Sequence, residues 1–188
     1  MTTEQRKNVI NLIQSIENDD HFLQNNQLEE FYKEVEFNIA YPRDMAFFTE
    51  FFIENGVNVL TYLKLGVPNF CFYTLDLPEK NIILPQGLRS IGERAFCETN
   101  IESVVIPDSL FGIDDCAFTQ CDYLHNIRIE GNPSLCQGCF HRPGDEPMYA
   151  FDTYTDITFE CANDKFYESM KHFVENNYIV GEWKVVRI

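Results

Sequence analysis

The residues with the clearest potential for chemistry lie in the stretch SLCQGCFHRPGDEP, Ser134 to Pro147. Cys136 and Cys139 form a Cys-x-x-Cys pair there, and His141 follows two residues later. Such a pair suits zinc binding or thiol redox chemistry, because thiolates are good zinc ligands and two close thiols can form a disulfide. A structural zinc site needs a second pair of ligands at suitable spacing, and the sequence offers none. A metal or redox protein built on this pair is therefore one hypothesis, and not the favoured one.

Other catalytic patterns are missing from the sequence. It contains no G-x-S-x-G, no glycine-rich phosphate loop and no HExxH. The acidic pair Asp114 and Asp115 falls at a predicted turn, where capping explains it without catalysis. The four histidines are scattered along the chain: His21, His125, His141 and His172. We therefore expect a protein that is not an enzyme, with no catalytic residues, no cofactor and no metal.

The composition indicates a folded soluble protein. Hydrophobic residues make up 45% of the 188 residues, with 17 Phe and 9 Tyr, and charged residues make up 23%. No segment reaches the roughly 20 apolar residues that a bilayer span needs. The first residues, MTTEQRKNVINLIQSIEND, do not resemble a secretory signal. Seven cysteines, an odd number, favour reduced thiols over a disulfide framework. These features predict a cytoplasmic location.

The formal net charge of −16 limits the choice of partners. A strongly acidic protein repels nucleic acid and anionic membranes and attracts basic surfaces. We expect a protein partner, which could present a basic surface, with no direct nucleic-acid binding and no membrane binding. One alternative follows from the charge: an acidic inhibitor or nucleic-acid mimic, encoded by a mobile element against a host defence nuclease, as anti-CRISPR proteins are. The oligomeric state stays open.

An internal repeat organises the middle of the chain. LPQGLRSIGERAF, Leu84 to Phe96, aligns with IPDSLFGIDDCAF, Ile106 to Phe118, at an offset of 22 residues. The segments IESVVI (101–106) and LHNIRI (124–129) both show L-x-x-L-x-L spacing. Repeats of about 20 to 29 residues with such strands are typical of leucine-rich repeats.

These repeats resemble the BspA-like (bacterial surface antigen A type) leucine-rich repeat family, whose units contain I-P-x-x-(V/L)-x-x-I-G-x-x-A-F after a strand. VVIPDSLFGIDDCAFTQCDYLHNIRI covers one unit and ILPQGLRSIGERAFCETNIESVVI the one before it; the resemblance spans roughly residues 72–140. It implies an α+β fold built on a short leucine-rich-repeat solenoid. One further step of the repeat places Cys139 in the buried position of Ala117, so the Cys-x-x-Cys pair can be read without a metal.

The rest of the chain predicts two flanking regions. Residues 1–60 show helical periodicity and predict an N-terminal helical region, whose third helix ends at Gly56. Residues 61–140 hold the repeats, and Phe72 to Leu77 (FYTLDLP) shows the same strand spacing in an irregular first unit. The C-terminal end also resembles the BspA-like family, in which a strand, a short helix and a final strand often close the last repeat. For residues 141–188 the resemblance implies an insertion loop and a C-terminal strand-helix-strand cap, with elements at Ile157 to Phe159, Asp164 to Glu175 and Trp183 to Ile188.

The predicted function is protein–protein interaction through the exposed strand face of the solenoid. Alternate residues of a strand point to opposite sides, so the positions between the buried ones line this face. The adjacent apolar pair Ile83 and Val105 is the strongest candidate, because exposed apolar side chains mark interfaces. The insertion adds two aromatic candidates. The full set is Ile83, Glu102, Ser103, Val105, His125, Asn126, Arg128, Tyr149 and Phe151. The alternative that the N-terminal helices or the insertion cover this face stays open.

Overall fold

The N-terminal part of the described chain is helical. Helix α1 spans Asp44–Glu54 and a short 3-10 helix spans Val59–Tyr62. Gly56 follows α1 with a φ of 79°, and its N–H donates to the Ile53 carbonyl at 2.9 Å, so this glycine ends the helix as predicted. The first two predicted helices lie outside the described residues. The computed structural model describes residues 44–54, 56, 58–63, 66–135, 156–176 and 181–188.

The repeats form two parallel sheets, and successive repeats contribute one strand to each. The short sheet contains β1 (Gly66–Val67), β3 (Ser90–Ile91), β5 (Gly112–Ile113) and β7 (Ser134–Leu135), in that order. The long sheet contains β2 (Asn81–Ile83), β4 (Ser103–Ile106), β6 (Asn126–Ile129), β8 (Ile157–Cys161) and β9 (Trp183–Arg187). Parallel neighbours need a crossover connection, which here is the rest of each repeat.

The strand register of the long sheet follows the repeat. Ile83 lies beside Val105 and Val105 beside Arg128, which is the pairing that the sequence alignment predicts. The residues between them point inward: Ile82, Val104 and Ile127 are buried. The apolar residues of the L-x-x-L-x-L segments are therefore interior side chains, and the residues between them are available at the surface.

A row of stacked phenylalanines runs through the interior. The ring centroids of Phe72 and Phe96 lie 4.9 Å apart, and those of Phe96 and Phe118 lie 5.2 Å apart with the planes only 3° from parallel. All three rings are buried. Beside them, Cys71, Ala95 and Ala117 fill a position where only a small side chain fits against the next repeat.

The turns that carry these phenylalanines are also hydrogen-bonded from one repeat to the next. The Phe72 N–H donates to the Ala95 carbonyl at 2.7 Å, and the Phe96 N–H donates to the Ala117 carbonyl at 2.8 Å. Two residues in each turn adopt a left-handed backbone: Phe70 and Thr74, Arg94 and Glu98, Cys116 and Gln120. This conformation is uncommon for residues other than glycine, so its recurrence shows that the stacking of repeats holds the turns.

The prediction of a strand at Phe72 to Leu77 is wrong. Val67 pairs with Ile91 and Phe72 stacks on Phe96, so this segment is the turn of an earlier repeat at an offset of 24 residues. The apolar spacing of a turn and of a strand is similar here. Two extra residues before β2 conceal the repeat from a search at a fixed offset of 22.

The chain continues with a strand-helix-strand unit. Helix α2 spans Asp164–Asn176 between β8 and β9. The Asn163 side chain accepts hydrogen bonds from the N–H groups of Lys165 and Phe166 at 3.0 and 3.1 Å, which caps the start of this helix. Phe166 and Met170 are buried against the sheet. Within the described ranges, neither helix is long and apolar enough to cross a membrane.

Candidate functional site

The outward side chains of the long sheet form the candidate site, called the outer face below. They project from the positions that alternate with the buried residues of each strand. One row across the sheet contains Asn81, Ser103, Asn126, Thr158 and Lys184. The next row contains Ile83, Val105, Arg128, Glu160 and Val186. The first row is polar, and the second mixes apolar and charged side chains.

The apolar part of the outer face lies at both ends of the second row. Ile83 on β2 is 72% exposed, and Val186 on β9 is 39% exposed. Val105 is half-buried, so the predicted exposed pair is less exposed at Val105 than at Ile83. Because so much of the Ile83 side chain is in contact with water, a partner that covers it would remove a large apolar area from water, which stabilises the complex.

Hydrogen bonds between strands hold the polar row. The Ser103 hydroxyl donates to the Asn81 side chain at 2.7 Å. The Asn126 amide donates to the Glu160 carboxylate at 3.1 Å. These side chains are therefore ordered before any partner arrives, which lowers the entropy cost of binding.

The charges on and beside the outer face are balanced. Nζ of Lys80 lies 3.4 Å from Oε1 of Glu102, and Nε of Arg128 lies 3.6 Å from Oε1 of Glu130. The face is thus close to neutral locally, although the whole chain carries a net charge of −16. Among the described residues, exposed carboxylates without such partners include Asp114 and Asp122 on the turns and Glu79 just before β2.

Tyr123 is a surface aromatic beside the outer face that the sequence analysis missed. Its side chain is 62% exposed, and the Lys80 ammonium lies 5.9 Å from the ring centroid. The Tyr123 carbonyl is 3.0 Å from Nδ1 of His125, which is exposed. Tyr123 precedes its strand, outside the alternating pattern, so an aromatic residue within the polar turn TQCDYL was the only signal.

The structure brings seven of the nine predicted site residues together on or beside this one face. Ile83, Val105 and Arg128 are neighbours in one row, and Ser103 and Asn126 are neighbours in the other. Glu102 and His125 precede β4 and β6, where the His125 N–H donates to the Glu102 carbonyl at 3.0 Å. Tyr149 and Phe151 lie outside the described residues. The role of all nine in binding stays a prediction.

The described cysteines do not form a reactive site. All five are buried thiols, and the described part of the chain holds no group of three metal-binding side chains. Burial raises the pKa of the Cys97 thiol to about 12 and that of Cys121 to about 11. At neutral pH these thiols are protonated, whereas nucleophilic attack and metal binding need the thiolate. Cys136, Cys139 and His141 lie outside the described residues.

Comparison with known proteins identifies the family. The family model for the BspA type leucine rich repeat region matches residues 64–165 in six copies. The chain belongs to the BspA-type leucine-rich repeat family. The BspA-type match begins before and ends after residues 72–140, where the sequence resemblance is visible by eye. Among curated proteins and among solved structures, no significant match was found.

Membership of the BspA-type family fits the geometry of the outer face. Leucine-rich repeats generally mediate protein–protein interaction and are typically not enzymes. Stacked repeats suit this role because each adds outward side chains to a continuous surface without disturbing the interior. The BspA-type repeats of this chain therefore point to a protein partner.

Proposed function

We propose that this protein is an intracellular protein-binding module that uses the outer face of a short leucine-rich-repeat solenoid. In this proposal the strand-helix-strand unit of β8, α2 and β9 caps the solenoid, because the last repeat would otherwise expose its apolar edge. The proposal keeps the predicted division of the chain into a helical region at residues 1–60, the repeats at residues 61–140, and an insertion with the cap at residues 141–188. The high exposure of Ile83 on an otherwise ordered face is the observation that carries the proposal.

The state of the cysteines supports a location in the cytoplasm. The five described cysteines are buried thiols, and burial raises the pKa values of Cys97, Cys121 and Cys161. Proteins of oxidising compartments more often pair their cysteines in disulfides. A reducing compartment matches an interior that uses thiols as small apolar groups.

The local charge balance favours an apolar and hydrogen-bonding interface over one driven by net charge. Lys80 and Arg128 both have glutamate partners beside the outer face. A partner that docks here meets paired charges, so added salt should weaken binding only slightly. The acidic-inhibitor alternative makes the opposite prediction, because a mimic of nucleic acid binds through unpaired carboxylates.

Differential capture of a partner tests the proposal. Tagged full-length protein is incubated with lysate of its source organism, and proteins retained by the wild type are compared with those retained by Val105→Glu. This substitution places a charged side chain between Ile83 and Arg128 in the second row of the outer face. Phe111→Glu is the matched control, because Phe111 is 67% exposed and lies beside the short sheet instead. We expect the amount of a specific partner that Val105→Glu retains to be at least about tenfold lower than for the wild type. Phe111→Glu should retain as much of this partner as the wild type does.

Two outcomes would contradict this proposal. If Phe111→Glu loses the partner and Val105→Glu keeps it, the outer face of the long sheet is not the interface. If raising NaCl from about 0.1 M to about 0.5 M removes the wild-type partner, charge drives the interaction, and the acidic inhibitor becomes the better description. Folding of both variants is checked by circular dichroism before the comparison.

A further inference from the structure

The first strand of the long sheet has one edge that no other described strand pairs with. In the described part of the chain, β2 pairs only with β4. On that side the Lys80 carbonyl accepts from the Ser103 N–H at 3.2 Å, and the Leu84 N–H donates to the Val105 carbonyl at 3.1 Å. Lys80, Ile82 and Leu84 therefore direct their backbone groups to β4.

The residues between them direct their backbone groups away from the sheet. In a parallel strand, the N–H and C=O of one residue point to one neighbour, and those of the next residue point to the opposite side. Asn81 and Ile83 thus present two donors and two acceptors at the free edge, and the described residues form no hydrogen bond with them there. An unpaired strand edge of this kind is a template for one more strand.

Two adjoining cavities form a groove beside this edge. The smaller cavity, about 160 Å³, is lined by Asn58, Leu60, Glu79, Asn81, Ile83 and Pro85. A larger cavity of about 330 Å³ shares Asn58, Leu60 and Glu79 with it. The apolar wall of the larger cavity includes Ile53, Val59, Phe72, Leu77 and Ile82. The groove thus combines backbone hydrogen-bonding groups, on one side, with space for an apolar side chain, on the other.

We propose that this edge groove binds an extended segment of a partner protein by strand addition. The backbone of the segment pairs with Asn81 and Ile83, and one large apolar side chain enters the cavity beside Phe72. In strand addition, main-chain hydrogen bonds supply affinity and pockets for alternate side chains supply specificity. The unpaired backbone groups of β2 and the apolar cavity supply these two parts. Successive side chains of an extended chain point to opposite sides, so one can enter the cavity while its neighbours point away.

The charge of the groove defines the partner segment further. Glu79 is exposed and lines both cavities, and it forms no ion pair with any basic residue that the structure describes. The chain as a whole carries a net charge of −16, which draws basic segments and repels acidic ones. The segment that fits is therefore extended, with a leucine or phenylalanine for the cavity and a lysine or arginine beside it.

This inference rests on the proposed function only in assuming a protein partner. The outer face binds through side chains such as Val105, whereas the edge groove binds through the backbone of β2. The two sites meet at Ile83, so one partner could occupy both. They can be tested separately because Val105 does not line the groove.

Binding of a defined peptide to the full-length protein tests the edge groove. The probe is a fluorescein-labelled five-residue peptide with leucine at its centre and alternating lysine and valine around it, followed by fluorescence anisotropy. The first matched control has the same sequence with N-methyl groups on alternate peptide nitrogens, which removes the donors that strand addition needs. The second replaces each lysine by glutamate. We expect each control to bind at least about fivefold more weakly, as the loss of one or two hydrogen bonds or an ion pair predicts.

Substitutions in the protein identify the site of binding. Ile83→Pro removes the edge N–H without removing a bond to β4, and proline is tolerated on edge strands. Ile83→Thr is its control, since it keeps the N–H. We expect Ile83→Pro to bind the parent peptide at least about fivefold more weakly than Ile83→Thr, which isolates the edge N–H from the change of side chain. Glu79→Gln should weaken binding by about twofold to fivefold, and Val105→Glu should change the affinity less than about twofold.

Amide hydrogen exchange completes the test on the free protein. We expect the Asn81 and Ile83 amides to exchange rapidly without peptide and at least about tenfold more slowly with it. Protection of both amides without peptide would mean that another segment of the chain already occupies the edge, and equal affinity for the N-methylated peptide would mean that strand addition does not occur. Either result overturns the inference, and neither affects the capture experiment at Val105. Loss of capture by Phe111→Glu, with capture retained by Val105→Glu, would instead count against the proposed function alone.

Discussion

The two sheets are built from the same repeats, but their outward side chains differ. The long sheet presents large or charged groups such as Ile83 and Arg128. The outward positions of the short sheet hold Gly66, Ser90, Gly112 and Ser134. A Cβ atom added at Gly66 would lie 2.5 Å from the Ser90 hydroxyl oxygen and 3.1 Å from the Ser90 carbonyl oxygen, so a side chain at Gly66 would crowd the neighbouring strand. The comparison teaches that one side of the repeat is limited by packing, whereas the other is free to specialise for binding.

The interior between the sheets is common to both. Strand residues of the short sheet, such as Ile91, and of the long sheet, such as Val104, are fully buried on either side of the phenylalanine stack. Changes in this interior should therefore affect both sheets together, and changes outside it should affect one.

Removal of the central phenylalanine should be the most damaging change. Phe96 is fully buried and stacks on both Phe72 and Phe118, so Phe96→Ala leaves a cavity between two repeats. We expect a loss of about 3–5 kcal/mol in the free energy of unfolding, measured by urea titration. The control is Phe111→Ala, at a ring that is 67% exposed, where we expect a change within about 0.5 kcal/mol. Similar losses in the two variants would contradict the division between interior and surface.

The buried thiols should make the fold sensitive to alkaline pH. Burial raises the pKa of Cys121 from an ordinary value of 9.0 to about 11. Below pH 9 the thiol is protonated in both the folded and the unfolded chain, so the contribution of Cys121 to the free energy of unfolding is fully present. Between pH 9 and pH 11 the unfolded chain loses the proton and the folded chain keeps it, so stability falls by about 1.4 kcal/mol per pH unit, or about 3 kcal/mol in total.

The measurement compares the wild type with Cys121→Ala by urea unfolding at pH 8 and pH 10.5. The variant loses the contacts of the thiol with the Phe96 carbonyl and the Thr99 hydroxyl, so it should be less stable at pH 8. Its stability should nevertheless fall less steeply with pH than that of the wild type. Parallel pH profiles would show that Cys121 titrates alike in the folded and unfolded chains.

The repeats could be predicted from the sequence because interior positions have narrow requirements. The recurrence of Ala95 and Ala117 beside Phe96 and Phe118 identified a small and a large buried slot. The same slots at Cys71 and Phe72 were missed, because two extra residues shift that repeat to an offset of 24 and cysteine replaces alanine. The small and large buried positions are therefore recognisable in the sequence wherever the repeats keep a regular spacing.

The candidate site could be predicted only in part. The register of the outward rows followed from the repeat, so the neighbours Ile83, Val105 and Arg128 were found. The exposure of Tyr123 and the free edge of β2 were not, because they depend on where strands begin and on which strand comes first in the sheet. Such features come from the assembled chain, and no local pattern encodes them.

A single added methyl group should lower the free energy of unfolding at Gly92, between β3 and the turn that carries Phe96. Gly92 follows β3 directly, and a Cβ atom there would lie 2.7 Å from the Asn69 backbone nitrogen and 2.9 Å from the Pro68 carbonyl carbon. We expect Gly92→Ala to cost about 1–3 kcal/mol, since backbone must move. Asp114 occupies the same repeat position one unit later and is exposed, so Asp114→Ala should change stability by less than about 0.5 kcal/mol. Urea titration of both variants measures the difference, and equal effects would show that the crowding at Gly92 is relieved without strain.

The smallest effect should come from an ion pair beside the outer face of the long sheet. Lys80 lies 3.4 Å from Glu102, with side chains 48% and 38% exposed. A double-mutant cycle with Lys80→Gln and Glu102→Gln should give a coupling energy of about 0.2–1 kcal/mol, which falls as salt is added. The cycle also removes the separate contribution of the Lys80 contact with Tyr123, because that contact is lost in the single and the double variant alike. A coupling energy well above about 1 kcal/mol would mean that this edge of the outer face, like the short sheet, is constrained by structure, and that it is less free to specialise for a partner than its exposure indicates.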